Sequence, residues 1–172
     1  MRLIVCKILI AFLLLLTLCS CKPESENPKE LNLSANFLTN NPECNHLKSA
    51  EIIRSTPNSQ SCIEYYFDQS TKILLIKHLN AGFNCCPEKL WCTVAYRNDS
   101  IIIQEFEKHM GCKCNCLYDL DLEVLGVEPG NYQLRMIEPY AGNQDKIRFE
   151  LDLLTQKRGT FCVTRKQYPW GE

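Results

Sequence analysis

Residues 84–116 read NCCPEKLWCTVAYRNDSIIIQEFEKHMGCKCNC and contain six of the chain's twelve cysteines. An adjacent cysteine pair begins this segment and an alternating CKCNC ends it. Between them, two runs rich in β-branched and aromatic residues flank a polar Asn98-Asp99 pair, a pattern typical of strands. The segment therefore predicts cysteine-rich β-structure.

The side chains from Cys112 to Val124 alternate in polarity. Residues two apart on a strand share a face, so three cysteines would lie on the apolar side of one strand. That side comprises Cys112, Cys114, Cys116, Tyr118, Leu120, Leu122 and Val124. The opposite side carries Lys113, Asn115, Asp119, Asp121 and Glu123, with Leu117 as the exception. This alternation predicts a half-buried strand whose sulfur atoms face the core.

These cysteines favour disulfides between distant segments. Same-face neighbours on a strand lie roughly 6.5–7 Å apart, at the limit that a disulfide tolerates, and a bridge within Cys85-Cys86 would be strained. Cys92 shares its strand face with Leu90 and Val94, again the core side. We therefore expect Cys85, Cys86 and Cys92 to pair with Cys112, Cys114 and Cys116, with the connectivity left open.

A thiolate metal site is the alternative interpretation. Cys112, Cys114 and Cys116, with His109 and one or more of Cys85, Cys86 and Cys92, could bind a soft metal such as Cu(I) or Zn. The chain lacks the paired CxxC of zinc ribbons, and it has no CxxC motif of the kind thioredoxin-like enzymes use. Disulfides are therefore favoured, and no cofactor is expected.

Residues 1–20, MRLIVCKILIAFLLLLTLCS, have the pattern of an export signal. Arg2 and Lys7 precede an apolar run of about eleven residues, too short for a comfortable membrane span and suited to a signal-peptide core. The run ends in Leu18-Cys19-Ser20-Cys21, which resembles the lipobox of bacterial lipoproteins, with Ser20 at the small position and Cys21 as the lipidated residue. Lipidation at Cys19 would put Leu18 at the cleavage position, and an uncleaved anchor helix is the other alternative.

The mature chain is expected to have an anchor, a tether and one domain. Residues 21–43 would be the lipidated cysteine and a flexible tether, because this segment is polar and has nothing to bury. Residues 44–172 would form the domain, which is long enough for one core. Nine cysteines remain after Cys21, an odd number, so one thiol should be free or pair between molecules, or some of the set binds a metal. The nine are Cys44, Cys62, Cys85, Cys86, Cys92, Cys112, Cys114, Cys116 and Cys162.

The charge argues against nucleic acid as a partner. Of the 19 basic residues, two belong to the leader, and 19 − 2 = 17 against 20 acidic residues gives the mature chain a net charge of −3. A membrane, through the anchor, and a protein or glycan are the partners that remain. Export also places the chain where disulfides persist. We therefore expect a lipid anchor in a bacterial cell envelope, at the periplasmic or the surface face of an outer membrane.

The rest of the domain reads as short strands with almost no helical periodicity. Residues 62–67 and 72–79 predict a hairpin across a DQST turn, Asn80-Ala81-Gly82 would end its second strand, and residues 46–53 could form one short helix. Residues 147–153 alternate most cleanly, and residues 159–165 would be the last strand. Gly130-Asn131-Tyr132 resembles the tyrosine corner of immunoglobulin-like domains. The fold class predicted is all-β, an antiparallel immunoglobulin-like β-sandwich stapled by disulfides, with an up-and-down barrel as the alternative.

Several motifs together resemble a group of small Bacteroidetes lipoproteins that has no assigned activity. They are the lipobox, HLNAGFNCCP (78–87), CKCNCLYDLDLEVLGVEPGNY (112–132), IEPY (137–140) and GTFCVTRKQYPWG (159–171), which span most of the mature chain. The resemblance implies export and a β-sandwich. It brings no catalytic residues to carry over.

The remaining polar residues give no catalytic pattern. Asp119, Asp121 and Glu123 form an acidic row that could bind Ca²⁺, but no DxDxDG loop is present, and a solvated strand face is the simpler interpretation. The three histidines, His46, His78 and His109, lie in no HExxH motif, and neither a GxSxG nor a phosphate-binding loop occurs. Tyr168-Pro169-Trp170-Gly171 would either contact a partner or cover one end of the sandwich. We therefore expect a non-enzymatic protein.

Overall fold

A computed structural model describes residues 30–38, 43–44 and 56–167 of this chain. This part contains nine strands and no helix. The strands are β1 (Ser34–Phe37), β2 (Gln60–Asp68), β3 (Ile73–Asn84), β4 (Pro87–Arg97), β5 (Ser100–His109), β6 (Asn115–Leu125), β7 (Asn131–Ile137), β8 (Arg148–Asp152) and β9 (Arg158–Thr164). Within the described residues, no helix has the length and apolar character needed to cross a bilayer.

Two sheets form a sandwich. One has the strand order β1-β6-β3-β2-β9 and the other β4-β5-β7-β8. Their inward side chains make the main core, in which Phe67, Ile101, Leu122 and Leu134 are fully buried. The predicted fold class, a disulfide-stapled all-β sandwich, is confirmed. One detail differs from a fully antiparallel fold, because β5 and β7 pair in parallel.

The predicted hairpin forms where expected, and a second hairpin joins the two runs around Asn98-Asp99. β2 pairs antiparallel with β3 across the DQST turn, and β4 pairs with β5 from Arg97 opposite Ser100. Asn98 and Asp99 both adopt positive φ angles, 47° and 54°, as a two-residue hairpin turn matched to strand twist requires. The Tyr132 hydroxyl donates a 2.7 Å hydrogen bond to the Glu128 carbonyl, the bond expected of a tyrosine corner.

The expectation that Asn80-Ala81-Gly82 ends a strand is wrong. β3 runs on to Asn84, and its pairing with β6 shifts register between His78 and Ala81. Asn80 has a φ of 58°, and its side-chain amide donates to the carbonyls of Pro57 and Gln60 at 3.0 and 2.8 Å. Asparagine tolerates this left-handed conformation, so the segment is a β-bulge within one continuous strand.

The expectation that all of residues 21–43 form a tether is wrong. β1 lies inside residues 21–43 and pairs with β6, with Ser34 opposite Leu125 and Phe37 opposite Leu122. The reason is the alternation of Leu31, Leu33, Ala35 and Phe37, all of which pack against the main core. The leader of residues 1–20, Cys21 and the helix predicted at 46–53 lie outside the described residues.

A second, smaller core lies at the cysteine-rich end of the sandwich. Its buried members are Ala81, Phe83, Cys116, Tyr118 and Leu120. Along β3 this cluster follows the bulge, whereas Leu74 and Ile76 before the bulge belong to the main core. His78 therefore lies at the boundary between the two cores.

Candidate functional site

Two neighbouring disulfides join the adjacent cysteines to the CKCNC segment. Cys85 pairs with Cys114 and Cys86 with Cys112, with Cα atoms 5.5 and 5.9 Å apart. Both pairs fall within the set predicted from sequence. However, β6 begins only at Asn115, so Cys112 and Cys114 lie in the preceding loop and not on the predicted strand face. Cys114 is exposed as a consequence.

The other two bridges were not predicted as pairs. Cys116 faces the second core from β6 and pairs with Cys44, so its expected pairing within the central segment is wrong. Cys62 and Cys162 lie directly opposite each other on β2 and β9, with Cα atoms 4.1 Å apart, and form the fourth bridge. This bridge joins the edge strand β9 to its neighbour β2.

Cys92 is the remaining thiol, and its expected disulfide is wrong. It points into the main core from β4, directly opposite Glu105 of β5, and only 8% of it is exposed. Burial, together with the charge of Glu105, raises the pKa of the thiol to about 11. A thiol in that environment stays protonated at neutral pH and is a poor nucleophile or metal ligand.

Asn84 fixes the two adjacent bridges in place. Its side chain donates to the Cys112 carbonyl at 2.7 Å and accepts from the Cys86 amide at 2.9 Å. Its backbone amide donates to Glu107 at 2.8 Å, and its carbonyl accepts from the Tyr118 hydroxyl at 2.9 Å. This network orients the cysteine backbone, which is what structural disulfides require.

A group of three sulfur atoms is the one candidate metal site among the described residues. The atoms belong to Cys85, Cys86 and Cys114 and all lie within 4.8 Å of one another. Cys85, Cys86 and Cys114 all belong to the ligand set predicted from sequence. Cys112 and Cys116 do not join this group, and Cys92 lies apart from it in the main core. The side chain of His109 is outside the described residues. Thiolate binding here would require the two bridges to be reduced.

A buried polar cluster was missed by the sequence analysis. Both ring nitrogens of His78 are hydrogen-bonded. Nε2 lies 2.9 Å from the Ser61 hydroxyl, and Nδ1 lies 2.8 Å from a carboxylate oxygen of Glu105. Glu138 lies 3.7 Å from the same Nε2 and binds Arg165 through both carboxylate oxygens at 2.6 Å. None of the four charged side chains is more than 1% exposed. The cluster connects the two sheets.

Charge balance favours a protonated His78. The cluster holds two carboxylates and one guanidinium, so an imidazolium makes it neutral. Burial alone would lower the pKa of His78, but the charge and hydrogen bond of Glu105, followed by the charge of Glu138, raise it above its usual value. One oxygen, Oε2 of Glu105, is buried without a hydrogen-bond partner among the described residues. A protonated His78 can donate from both ring nitrogens, to the Ser61 hydroxyl and to Glu105.

The bonds from Ser61 through His78 to Glu105 follow the order of a serine-hydrolase triad. Ser61 and His78 are both 0% exposed, so in this conformation a substrate has no path to the hydroxyl. A doubly donating imidazolium is also the wrong protonation state for a general base. One sequence signal could have revealed this cluster. Glu105 is two and four residues from the buried Ile103 and Ile101, so on a strand all three share the inward face.

The acidic row predicted on β6 lies on the outer face of its sheet. Asp121 pairs with Lys77 at 3.5 Å, and Asp119 accepts from the Asn80 amide at 3.1 Å. Among the described residues, no group of carboxylates has the convergence that a metal site needs. His46 and the tail from Tyr168 to Gly171 lie outside the described part of the chain.

No protein-family model, no curated protein and no solved structure matches this chain.

Proposed function

We propose that this chain is an exported lipoprotein, held at a bacterial cell envelope by acyl chains on Cys21, and that its sandwich is a non-enzymatic binding module for a protein or glycan partner. The outer membrane, at its periplasmic or surface face, is the proposed location. The observation that supports this proposal most is that nearly all described cysteines form disulfides. Four bridges engage eight of the nine described cysteines, and such frameworks persist in oxidising compartments.

The bridges support a scaffold role. Three of them lie around the second core, and the fourth ties β2 to β9 at an edge of its sheet. A sandwich held in this way can present variable outer surfaces without losing its core. The buried polar cluster adds a connection between the two sheets and offers no open site for chemistry.

The anchor can be tested in cells that incorporate labelled palmitate. Wild-type chain should take up label, and Cys21→Ser should not, because the acylated sulfur is gone. Cys19→Ser is the matched control and should stay labelled. Equal labelling of the wild type and Cys21→Ser would contradict the proposed anchor. Fractionation of the same cells should place the wild type with the membranes.

Binding of Cu or Zn is the second candidate function. It is favoured by the three sulfur atoms of Cys85, Cys86 and Cys114, which lie within 4.8 Å of one another. Under this alternative the two adjacent bridges would be open in the native protein and the thiolates would hold the metal. Cys114→Ser would then lower metal content, whereas in a stapled module it would mainly lower stability.

A further inference from the structure

Both outer faces of the sandwich carry exposed apolar side chains. In an antiparallel sheet with one face on the core, the residues of the outer, solvated face are usually polar. Here Trp91 and Ile137 are exposed by 36% and 44% on the β4-β5-β7-β8 sheet. On the other sheet Tyr66 and Leu75 are exposed by 46% and 39%. Each of the two outer faces therefore carries an exposed apolar patch.

The outer face of the β4-β5-β7-β8 sheet, which we call the basic face, centres on an aromatic pair. Trp91 lies directly opposite Phe106, with ring centroids 5.4 Å apart and planes 9° from parallel. The strand pairing puts five basic side chains on this face and two acidic ones. They are Lys89, Arg97, Lys108, Arg135 and Arg148, against Glu150 and Asp152. Lys108 also pairs with Glu88 at the edge, at 2.6 Å.

The outer face of the other sheet, which we call the acidic face, has the opposite charge. Leu75 lies opposite Tyr66, and both line a groove of about 410 Å³ together with Leu38, which is 48% exposed. Five acidic side chains share this face with two basic ones. They are Glu64, Asp68, Asp119, Asp121 and Glu123, against Lys77 and Arg158. The groove is mainly apolar, and its charged lining is balanced, with Glu64 and Asp121 against Lys77 and Arg158. The excess of acidic side chains lies on the face around the groove.

We propose that a second copy of this chain occupies each face, the basic face of one copy docking on the acidic face of the next, with Trp91 in the groove beside Leu75. The charge counts of the two faces mirror each other, and each has an apolar centre inside a charged rim, the arrangement that protein interfaces favour. One contact covers both exposed patches. This inference rests on the proposed function and names the protein partner of that binding module.

The symmetry and strength of the contact follow from its geometry. Because two different faces meet, the contact is heterologous and produces a closed ring or a growing chain of copies. A four-stranded face about 15 Å across and, over the seven residues of β7, about 23 Å long covers about 350 Å². That is less than half of the roughly 800 Å² per partner of a standard interface. We therefore expect weak association that salt reduces. Anchoring on one membrane would raise the local concentration.

The test uses sedimentation of residues 22–172, which contain every described strand and bridge. The wild type should show a sedimentation coefficient that rises with protein concentration and falls with added salt. Trp91→Ser and Leu75→Ser should each remain monomeric over the same range, because each removes one apolar centre from an exposed site. Leu154→Ser, at a side chain 58% exposed beyond the end of β8, is the matched control and should behave as the wild type.

Mixing the two variants gives the decisive result. The intact basic face of Leu75→Ser should bind the intact acidic face of Trp91→Ser, so an equimolar mixture should form a 1:1 pair that grows no further. A wild type that stays monomeric up to about 1 mM, the level of very weak binding, would overturn the inference. So would loss of association in Trp91→Ser alone, which indicates a contact between two basic faces. Either result leaves the anchor and the bridges untouched, so failure here is distinguishable from failure of the proposed function.

Discussion

The Nδ1 atom of His78 lies 2.8 Å from a carboxylate oxygen of Glu105, and this contact joins the two sheets of the sandwich at a point that solvent does not reach. It lies where the main core meets the second core beneath the disulfides. A charged pair in such a position is costly to break, because the remaining partner stays buried without compensation.

We expect His78→Gln to lower the free energy of unfolding by about 3–5 kcal/mol near pH 6, since it leaves the buried carboxylates without their imidazolium. The pKa of His78 is raised in the folded state. Its contribution to stability is therefore fully present below the unfolded pKa of about 6.5 and is lost as the pH rises through the higher folded value. Denaturant unfolding from pH 5 to 9 should show this decline in the wild type and not in the variant.

The double variant His78→Gln/Glu105→Gln is the control for that experiment. It removes both charges of the contact, so its cost should be smaller than the sum of the two single costs. A wild-type pH profile that matches the His78→Gln profile would contradict a protonated His78 in the folded state.

Cys92 should be chemically silent in the native protein. Its pKa of about 11 and its burial leave almost no accessible thiolate at pH 8. An aromatic disulfide reagent should therefore react with no thiol in the native chain and with one after denaturation, measured by absorbance. Rapid reaction of one equivalent under native conditions would place Cys92 at the surface, contrary to this structure.

The four bridges should differ in their contribution to stability. The Cys62–Cys162 bridge closes a loop with a sequence separation of 100, so replacing both cysteines with alanine should cost about 4 kcal/mol. The Cys86–Cys112 bridge lies directly inside Cys85–Cys114, which already closes the same loop. Its replacement should cost less than about 2 kcal/mol. Equal losses in the two double variants, measured by urea unfolding, would contradict this ranking.

The tyrosine corner should contribute a measurable amount on its own. Tyr132→Phe removes the donor of the 2.7 Å bond to the Glu128 carbonyl, and we expect a loss of about 1 kcal/mol. Tyr66→Phe, at an exposed tyrosine, is the matched control and should change stability by less than about 0.5 kcal/mol. Identical unfolding midpoints for the two variants would argue against the corner.

The regular part of this fold was predictable because local sequence determines it. The alternation from Cys116 to Val124 and from Ile147 to Leu153 gave the correct buried faces. The two runs around the polar Asn98-Asp99 pair became β4 and β5 for the same reason. The bulge at Asn80 was misread as a strand end, since an asparagine with positive φ is common to both situations. β1 was missed because a short polar-flanked strand resembles a tether until its partner strand is known.

The cluster around His78 could not be predicted from local sequence, for a different reason. Ser61, Glu105, Glu138 and Arg165 come from four separate segments, and only the packing of the two sheets brings them together. The disulfide partners were ambiguous in the same way, because Cys44 and Cys162 approach their partners through tertiary contacts. The spacing of the cysteines limited the possible disulfide pairs, and the fold determines which of those pairs form.

The most direct test of a stapled, metal-free module is intact mass with thiol counting. Residues 22–172 would be prepared from an oxidising compartment without chelator, denatured without reductant, alkylated and weighed, with metal analysis of the native sample alongside. We predict four bridges, a single alkylated thiol at Cys92 and no bound metal. Three or more alkylated thiols together with about one equivalent of Cu or Zn would contradict the account and make Cys85, Cys86 and Cys114 a metal site.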